Sequence, residues 1–369
     1  MPVSVSKDEI FSLLKKICEI PSPSGFEDKI REELIKELEP HADKLWIDTM
    51  GNIIAYKKGG EEGKLMIAAH MDEIGLMINA VTKEGFLRFV PIGGWAERIL
   101  PGQRVLIRTL KGTILRGVIG VKPPHIMKPE ERKKVIPMDQ LFIDIGVTSK
   151  EEAKKLGVTI GSVAVIERTV EKLGNPDFVT GRAFDDKIGV VTAVEAFKLM
   201  SEHKVDVYCV ITVQEEVGLK GARTAAFAIG ANVGLAIDVT IAADVPGVAP
   251  DKQIVKLGKG PAIKVMDGRA GSGLIAHPAV RDLLIKTAEE EKIPYQLEVL
   301  PGGTTDASAI QLTREGVPTG AISIPTRYIH SPVEVCHLED VANAIKLLVA
   351  FTKRLNKEWI QNVLKKTIK

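Results

Sequence analysis

Only three cysteines occur in 369 residues, Cys18, Cys209 and Cys336, and no two form a Cys-x-x-Cys pair. Their scarcity and spacing argue against a disulfide framework and against a zinc site built on paired cysteines. Charge of one sign is also missing: 50 Lys and Arg stand against 48 Asp and Glu, a net +2. No global field would draw such a chain to nucleic acid or anionic lipid. No uncharged run reaches the ~18 apolar residues that suggest a membrane helix. The stretch Met1 to Glu9 lacks the basic start and apolar run of a signal peptide. The expectation is a cytoplasmic protein with neither nucleic-acid nor membrane partners. Aromatic residues are only 5%, poor material for sugar-stacking platforms. Seven Asn and seven Gln against plentiful Lys and Glu lean toward a thermophilic protein.

What is present is the composition of a soluble globular protein, 45% hydrophobic and 27% charged, at a length that favours two domains. Ser6 with Glu9, and Ser24 with Glu27, fit the capping box and predict two N-terminal helices. Lys64 to His70 is nearly continuous in apolar residues, as in a parallel strand buried on both faces, and it ends on a histidine. From about Glu73 to Arg168, short β-branched stretches (104–108, 113–119, 162–166) alternate with Gly and Pro, as in a small β-barrel or sandwich. Its Pro- and charge-rich segment Lys122 to Lys134 reads as an exposed loop, open to substrate or a partner subunit. After Thr169 helix and strand alternate again: helix 184–200, strands 205–213 and 233–239, helix 278–292 and strand 320–324. The predicted fold is α/β, a mostly parallel sheet flanked by helices. It would be built from residues 1–72 and 169–369, with 73–168 inserted as a small β-barrel.

The residues around the predicted strand ends carry the chemistry. His70-Met71-Asp72, Gln214-Glu215-Glu216, Asp238 and the loop holding His330 all lie at the sheet edge where α/β proteins gather ligands. Asp185 and Asp186 open a helix, where acids also serve as ordinary caps. Two histidines with several carboxylates suit Zn(II), Co(II) or Mn(II). The His-x-Asp spacing lets Asp72 orient the His70 imidazole, and adjacent Glu215 and Glu216 let one hold metal while the other accepts a proton from water. Such buried charge has no use in a plain core. Thr304, Thr305 and Asp306, after Gly302-Gly303, are candidates to touch substrate, although Thr and Asp there also suit a helix cap before 306–315. His277 before Pro278 reads as a helix start, and Gly258-Lys-Gly and Gly271-Ser-Gly as plain turns.

Five ordered motifs, Ala68-Ala-His-Met-Asp-Glu-Ile-Gly75, Gly181-Arg-Ala-Phe-Asp-Asp-Lys-Ile-Gly189, Val213-Gln-Glu-Glu-Val-Gly-Leu-Lys-Gly-Ala222, Ala236-Ile-Asp-Val-Thr240 and Arg327-Tyr-Ile-His-Ser-Pro332, resemble the tetrahedral aminopeptidases of archaea and bacteria. That family includes deblocking and glutamyl aminopeptidases, and its members are sometimes labelled endoglucanases. The resemblance implies a phosphorylase/hydrolase-like catalytic domain with an inserted barrel that drives assembly into a tetrahedral dodecamer. It implies two divalent metals per subunit, Zn or Co, with Asp185 as the bridge. His70 and Asp238 complete one site, Glu216 and His330 the other, with Glu215 as general base and Asp72 and Asp186 in support. The implied substrates are peptides with a free N-terminus. Two other readings remain: a glycosidase, which would leave both histidines idle, and a non-catalytic shell held together by metal, which would have no use for an unligated Glu215.

Overall fold

The structure, a computed structural model, describes residues 4–130 and 133–364. Positions 131 and 132 of the Lys122–Lys134 segment lie outside the described residues. The chain opens with α1 (Lys7–Cys18), α2 (Asp28–Leu38), β1 (Lys44–Ile47), β2 (Ile53–Lys57) and β3 (Lys64–His70). Ser6 caps α1, its hydroxyl oxygen accepting from the Glu9 N–H at 3.3 Å. The second capping box does not form: α2 starts at Asp28, and its cap residue Glu27 makes no side-chain cap bond there. Tertiary partners win instead. The Ser24 hydroxyl donates to Asp72 at 2.6 Å, and Glu27 accepts from the Gly25 and Gln214 N–H groups.

Six strands follow, β4 (Gly75–Val81), β5 (Leu87–Ile92), β6 (Arg104–Arg108), β7 (Ile114–Ile119), β8 (Ile143–Asp144) and, after the short α3 (Lys150–Lys155), β9 (Val163–Ile166). They close into an antiparallel barrel in the order β4-β5-β8-β7-β6-β9, so the region is a barrel and not a sandwich. Alternate residues such as Leu76 and Ile78, or Val105 and Ile107, fill its interior, which is the period-two pattern that barrel closure requires.

The remaining elements are β10 (Glu171–Lys172), β11 (Phe178–Gly181), α4 (Phe184–Leu199), β12 (Asp206–Thr212), α5 (Lys220–Ile229), β13 (Val233–Ile241), β14 (Ala262–Met266), α6 (Pro278–Glu290), β15 (Gln296–Val299), α7 (Asp306–Gln311), β16 (Thr319–Arg327), β17 (Glu334–His337), α8 (Leu338–Arg354) and α9 (Lys357–Leu364). With β1 to β3 they build one eleven-stranded sheet. Its centre, β12-β3-β13-β16, is parallel as expected, and antiparallel strands extend it on both flanks. Helix α4 is buried along almost its whole length because it lies between the sheet and helices α1 and α8. Strands β13 and β16 run past their expected ends because they stay paired through Ile241 and Thr326. Helix α7 stops at Gln311, short of the expected Glu315, where a turn closed by the Gly316 N–H on the Thr313 carbonyl leads into β16. With four parallel strands pointing one way, everything at their C-terminal ends meets along one sheet edge.

Candidate metal centre

At that edge two imidazoles stand on either side of one carboxylate. The Oδ1 of Asp185 is 3.2 Å from His70 Nε2, and its Oδ2 is 3.3 Å from His330 Nε2. His70, Asp185 and Asp238 form one group whose ligand atoms all lie within 4.8 Å of one another; Asp185, Glu216 and His330 form a second. Both groups could hold a metal ion, and Asp185 belongs to both. Glu216 Oε2 lies 3.3 Å from His330 Nε2, whereas Glu215 belongs to neither group and points its Oε2 at His70 Nε2 from 3.7 Å. The arrangement opens onto a cleft of about 830 Å³. A groove of about 1140 Å³ on the barrel, lined by Arg88, Val90 and Trp95, has no comparable group of His and acid side chains among the described residues.

Local backbone geometry presents these side chains. His70 is the last residue of β3, and its Nδ1 meets the backbone carbonyl of Asp72 at 3.1 Å, closer than the Asp72 carboxylate at 3.5 Å. That contact holds the ring so that Nε2 is the nitrogen turned toward Asp185. The Asp72 carboxylate, besides facing His70, accepts the N–H of Glu215 at 3.0 Å and of Glu216 at 3.3 Å and so fixes the backbone of both glutamates. Gln214 and His330 sit at φ 55° and 60°, a left-handed backbone that costs a non-glycine residue about 1 kcal/mol or more. Each is held by a buried acid. Glu27 accepts from the Gln214 N–H, and Glu334 accepts from the N–H of His330, Phe184 and Asp185. Asp186 accepts the N–H groups of His70 and Gly189, and a Cβ at Gly189 would collide with that carboxylate. Glycine at 189 is therefore a packing requirement.

Electrostatics agree with the geometry. Burial opposes a charge on His330, yet Asp185 and Glu216 outweigh it and lift the imidazole to about 11. Burial also disfavours the Asp185 carboxylate, but His330 and His70 hold it below the ordinary range. Glu215 is pushed well above the usual carboxylate value by burial, and Asp238, Asp306 and Glu216 add to the push while His70 resists it. Burial and the Asp185 charge likewise raise Asp238, against the pull of His70. So much acid in so little water calls for more positive charge than two imidazoles carry.

Of the proposed substrate-facing residues, Thr304 and Thr305 line the cleft. Thr304 donates to Asp267 at 3.2 Å, and Thr305 caps α7 by accepting the Ala307 N–H. Asp306 lies behind them, its carboxylate buried on the Thr212 hydroxyl at 2.6 Å, where burial raises it to about 6. His277 caps α6 as expected. Among the described residues of 122–134, Lys122, Met127 and Lys134 line a groove on the barrel with Phe142, and none lines the cleft. The sequence reading missed Glu27, Glu73, Arg182 and Glu334. Glu73 binds Ser22 N–H, Lys187 and Arg182 and is held down at about 2, burial being outweighed by the two cations. Its signal was available: Glu73 and Arg182 flank His70-Met-Asp72 and Asp185 within the motifs themselves.

Comparison with known proteins places this geometry. Residues 51–347 match the family model of M42 glutamyl aminopeptidases. The chain is similar to an aminopeptidase from the archaeon Desulfurococcus kamchatkensis, with 52% identity, coverage of 98% of this chain and 99% of that one, and a TM-score of 0.95. It is 41% identical over 348 residues to a lysyl aminopeptidase of Pyrococcus furiosus, covering 94% of this chain and 97% of that protein. The TET1 peptidase of Pyrococcus horikoshii, which can assemble into a tetrahedron or a large octahedral shell, superimposes with a TM-score of 0.84 at 41% identity, over 95% of this chain and all of that one.

Proposed function

Because this chain belongs to the M42 glutamyl aminopeptidase family, a family of peptidases, we propose that it releases N-terminal residues from peptides with a pair of divalent cations bound at the two groups that share Asp185. The observation that carries this reading is the split carboxylate of Asp185, one oxygen toward each imidazole. His70 and Asp238 would hold one cation, Glu216 and His330 the other, with zinc or cobalt suited to the donor set. Such cations, when bound, supply the charge that acidifies water and polarises a peptide carbonyl. The protein's own part is proton transfer and orientation. Glu215, outside both ligand groups, accepts the proton of the attacking water and passes it to the departing amine. Asp72 keeps its backbone still while it does so. Imidazoles wedged among carboxylates suit cations, and serve no purpose in the acid–base pair of a glycosidase.

Substitution separates the two groups. His70→Ala and His330→Ala are each expected to lose one metal per chain, at different sites, by elemental analysis; full occupancy in either variant removes that residue from the ligand set. An aminopeptidase also needs the free ammonium of its substrate. Short peptides and amino-acid p-nitroanilides should therefore be cleaved and their N-acetylated forms resist, and equal rates would point to an endopeptidase. Residues 1–72 and 169–369 would form the catalytic unit and 73–168 an inserted assembly module. By analogy with the tetrahedron of the horikoshii peptidase and with a solved dodecamer of 41% identity, twelve 40.1 kDa chains would assemble into a tetrahedron. Light scattering is expected to show that particle, and a monomer mass would refute the assembly. A cytoplasmic address agrees with three cysteines that are all buried and free, and no helix among the described residues is long and apolar enough to cross a membrane.

A further inference from the structure

Beside the Asp185–Glu216–His330 group lies a small cavity of about 20 Å³, which these three residues help to line. Its walls include Arg182, Glu216, Ser331, Glu334 and Trp95. Arg182 is 4% exposed, and its Nη1 is committed to Glu73. Its Nε and Nη2 are buried with no hydrogen-bond partner. Glu216, whose Oε2 faces His330, has a buried Oε1 that is equally unpartnered. Two residues lining one small cavity thus carry unpartnered donors and an unpartnered acceptor, and leaving such buried groups unsatisfied is unfavourable.

The size of the chamber limits what can join them. A buried water needs roughly 10–15 Å³ and two to four polar partners, so 20 Å³ admits one water and little else. A small anion is disfavoured by Glu73, Glu216 and Glu334 on the same walls. The Trp95 indole N–H is already spent on the Gly75 carbonyl at 2.9 Å. We infer that Arg182 is a positioning residue for Glu216, acting through one buried water that accepts from its guanidinium and donates to Glu216 Oε1. This bond occupies one carboxylate oxygen and leaves the other, Oε2, free to meet a cation beside His330. Arg182 thereby joins two ends of the centre, because Glu73, on its other arm, also binds Lys187 and, through Ser22, is linked to the carbonyl of Met71 next to His70.

The inference rests on the two-cation reading, and its test keeps the two apart. Arg182→Lys retains a positive charge and a partner for Glu73 but loses the second arm of the fork. Titration of the metal-free full-length protein with Co(II), followed by calorimetry, is expected to show one of two binding steps weakened about tenfold or more, with the other step and the melting temperature near wild type. Arg182→Met, which removes the charge as well, should weaken the same step at least as much. A crystal structure of the metal-loaded wild type should place one water within hydrogen-bonding distance of both Arg182 and Glu216 Oε1. Two unchanged Co(II) steps in Arg182→Lys, equal weakening of both, or a chamber with no water in that structure would overturn the role of Arg182. A wild-type protein that binds fewer than two Co(II) ions would instead overturn the two-cation reading itself.

Discussion

Glu215→Gln is expected to lower turnover of an aminoacyl p-nitroanilide by about 100-fold or more while both metals stay bound. The amide keeps the shape of the side chain, and the Asp72 carboxylate still holds residue 215 by its backbone N–H. What is lost is the ability to take a proton. Burial and the neighbouring acids push the Glu215 carboxyl above the usual range, against the pull of His70. Glu216→Gln should behave differently, because its Oε2 lies against His330 within a ligand group. There, metal content and rate should fall together. Elemental analysis beside steady-state kinetics checks both variants; a Glu215→Gln protein that loses a metal, or keeps near wild-type turnover, would show the roles to be wrongly divided.

Removal of the metals is the second large effect. Dialysis against EDTA should lower the rate by about a thousand-fold, since a cation at a developing charge is worth several kcal/mol and each 1.36 kcal/mol is a factor of ten. Added Zn(II) or Co(II) should restore it. The fold should survive the treatment, as the imidazoles and Asp185 pair with each other as ions when no cation intervenes. Circular dichroism before and after chelation measures that survival. Activity that persists in EDTA would contradict the mechanism.

How much of this was legible in the sequence depended on the range of the interactions. Continuous apolar runs announced β3, β12, β13 and β16, and the parallel order put His70, Glu215, Glu216, Asp238 and His330 on one edge before any distance was known. The antiparallel flanks were not foreseen, since strands as short as β10 and β17 carry too few residues for a period to show. Ser24 and Glu27 were misread for a related reason: Ser-x-x-Glu is a local signal, and it was overridden by Asp72 and Gln214, 48 and 187 residues away. The residues that brace the centre were the hardest to see. Glu334 looks like any acid at the start of a strand until its carboxylate is found accepting three backbone N–H groups from two segments that meet only in the folded chain. Spacing could not choose between Asp185 and Asp186 either. In the structure one faces both imidazoles and the other faces the backbone of His70.

The most direct test of the central claim is anomalous-scattering crystallography of the intact enzyme after loading with zinc. Two peaks per chain are predicted, one beside His70 and Asp238, the other beside Glu216 and His330, with Asp185 reaching both. A single peak, or two peaks that do not share Asp185, would contradict the account.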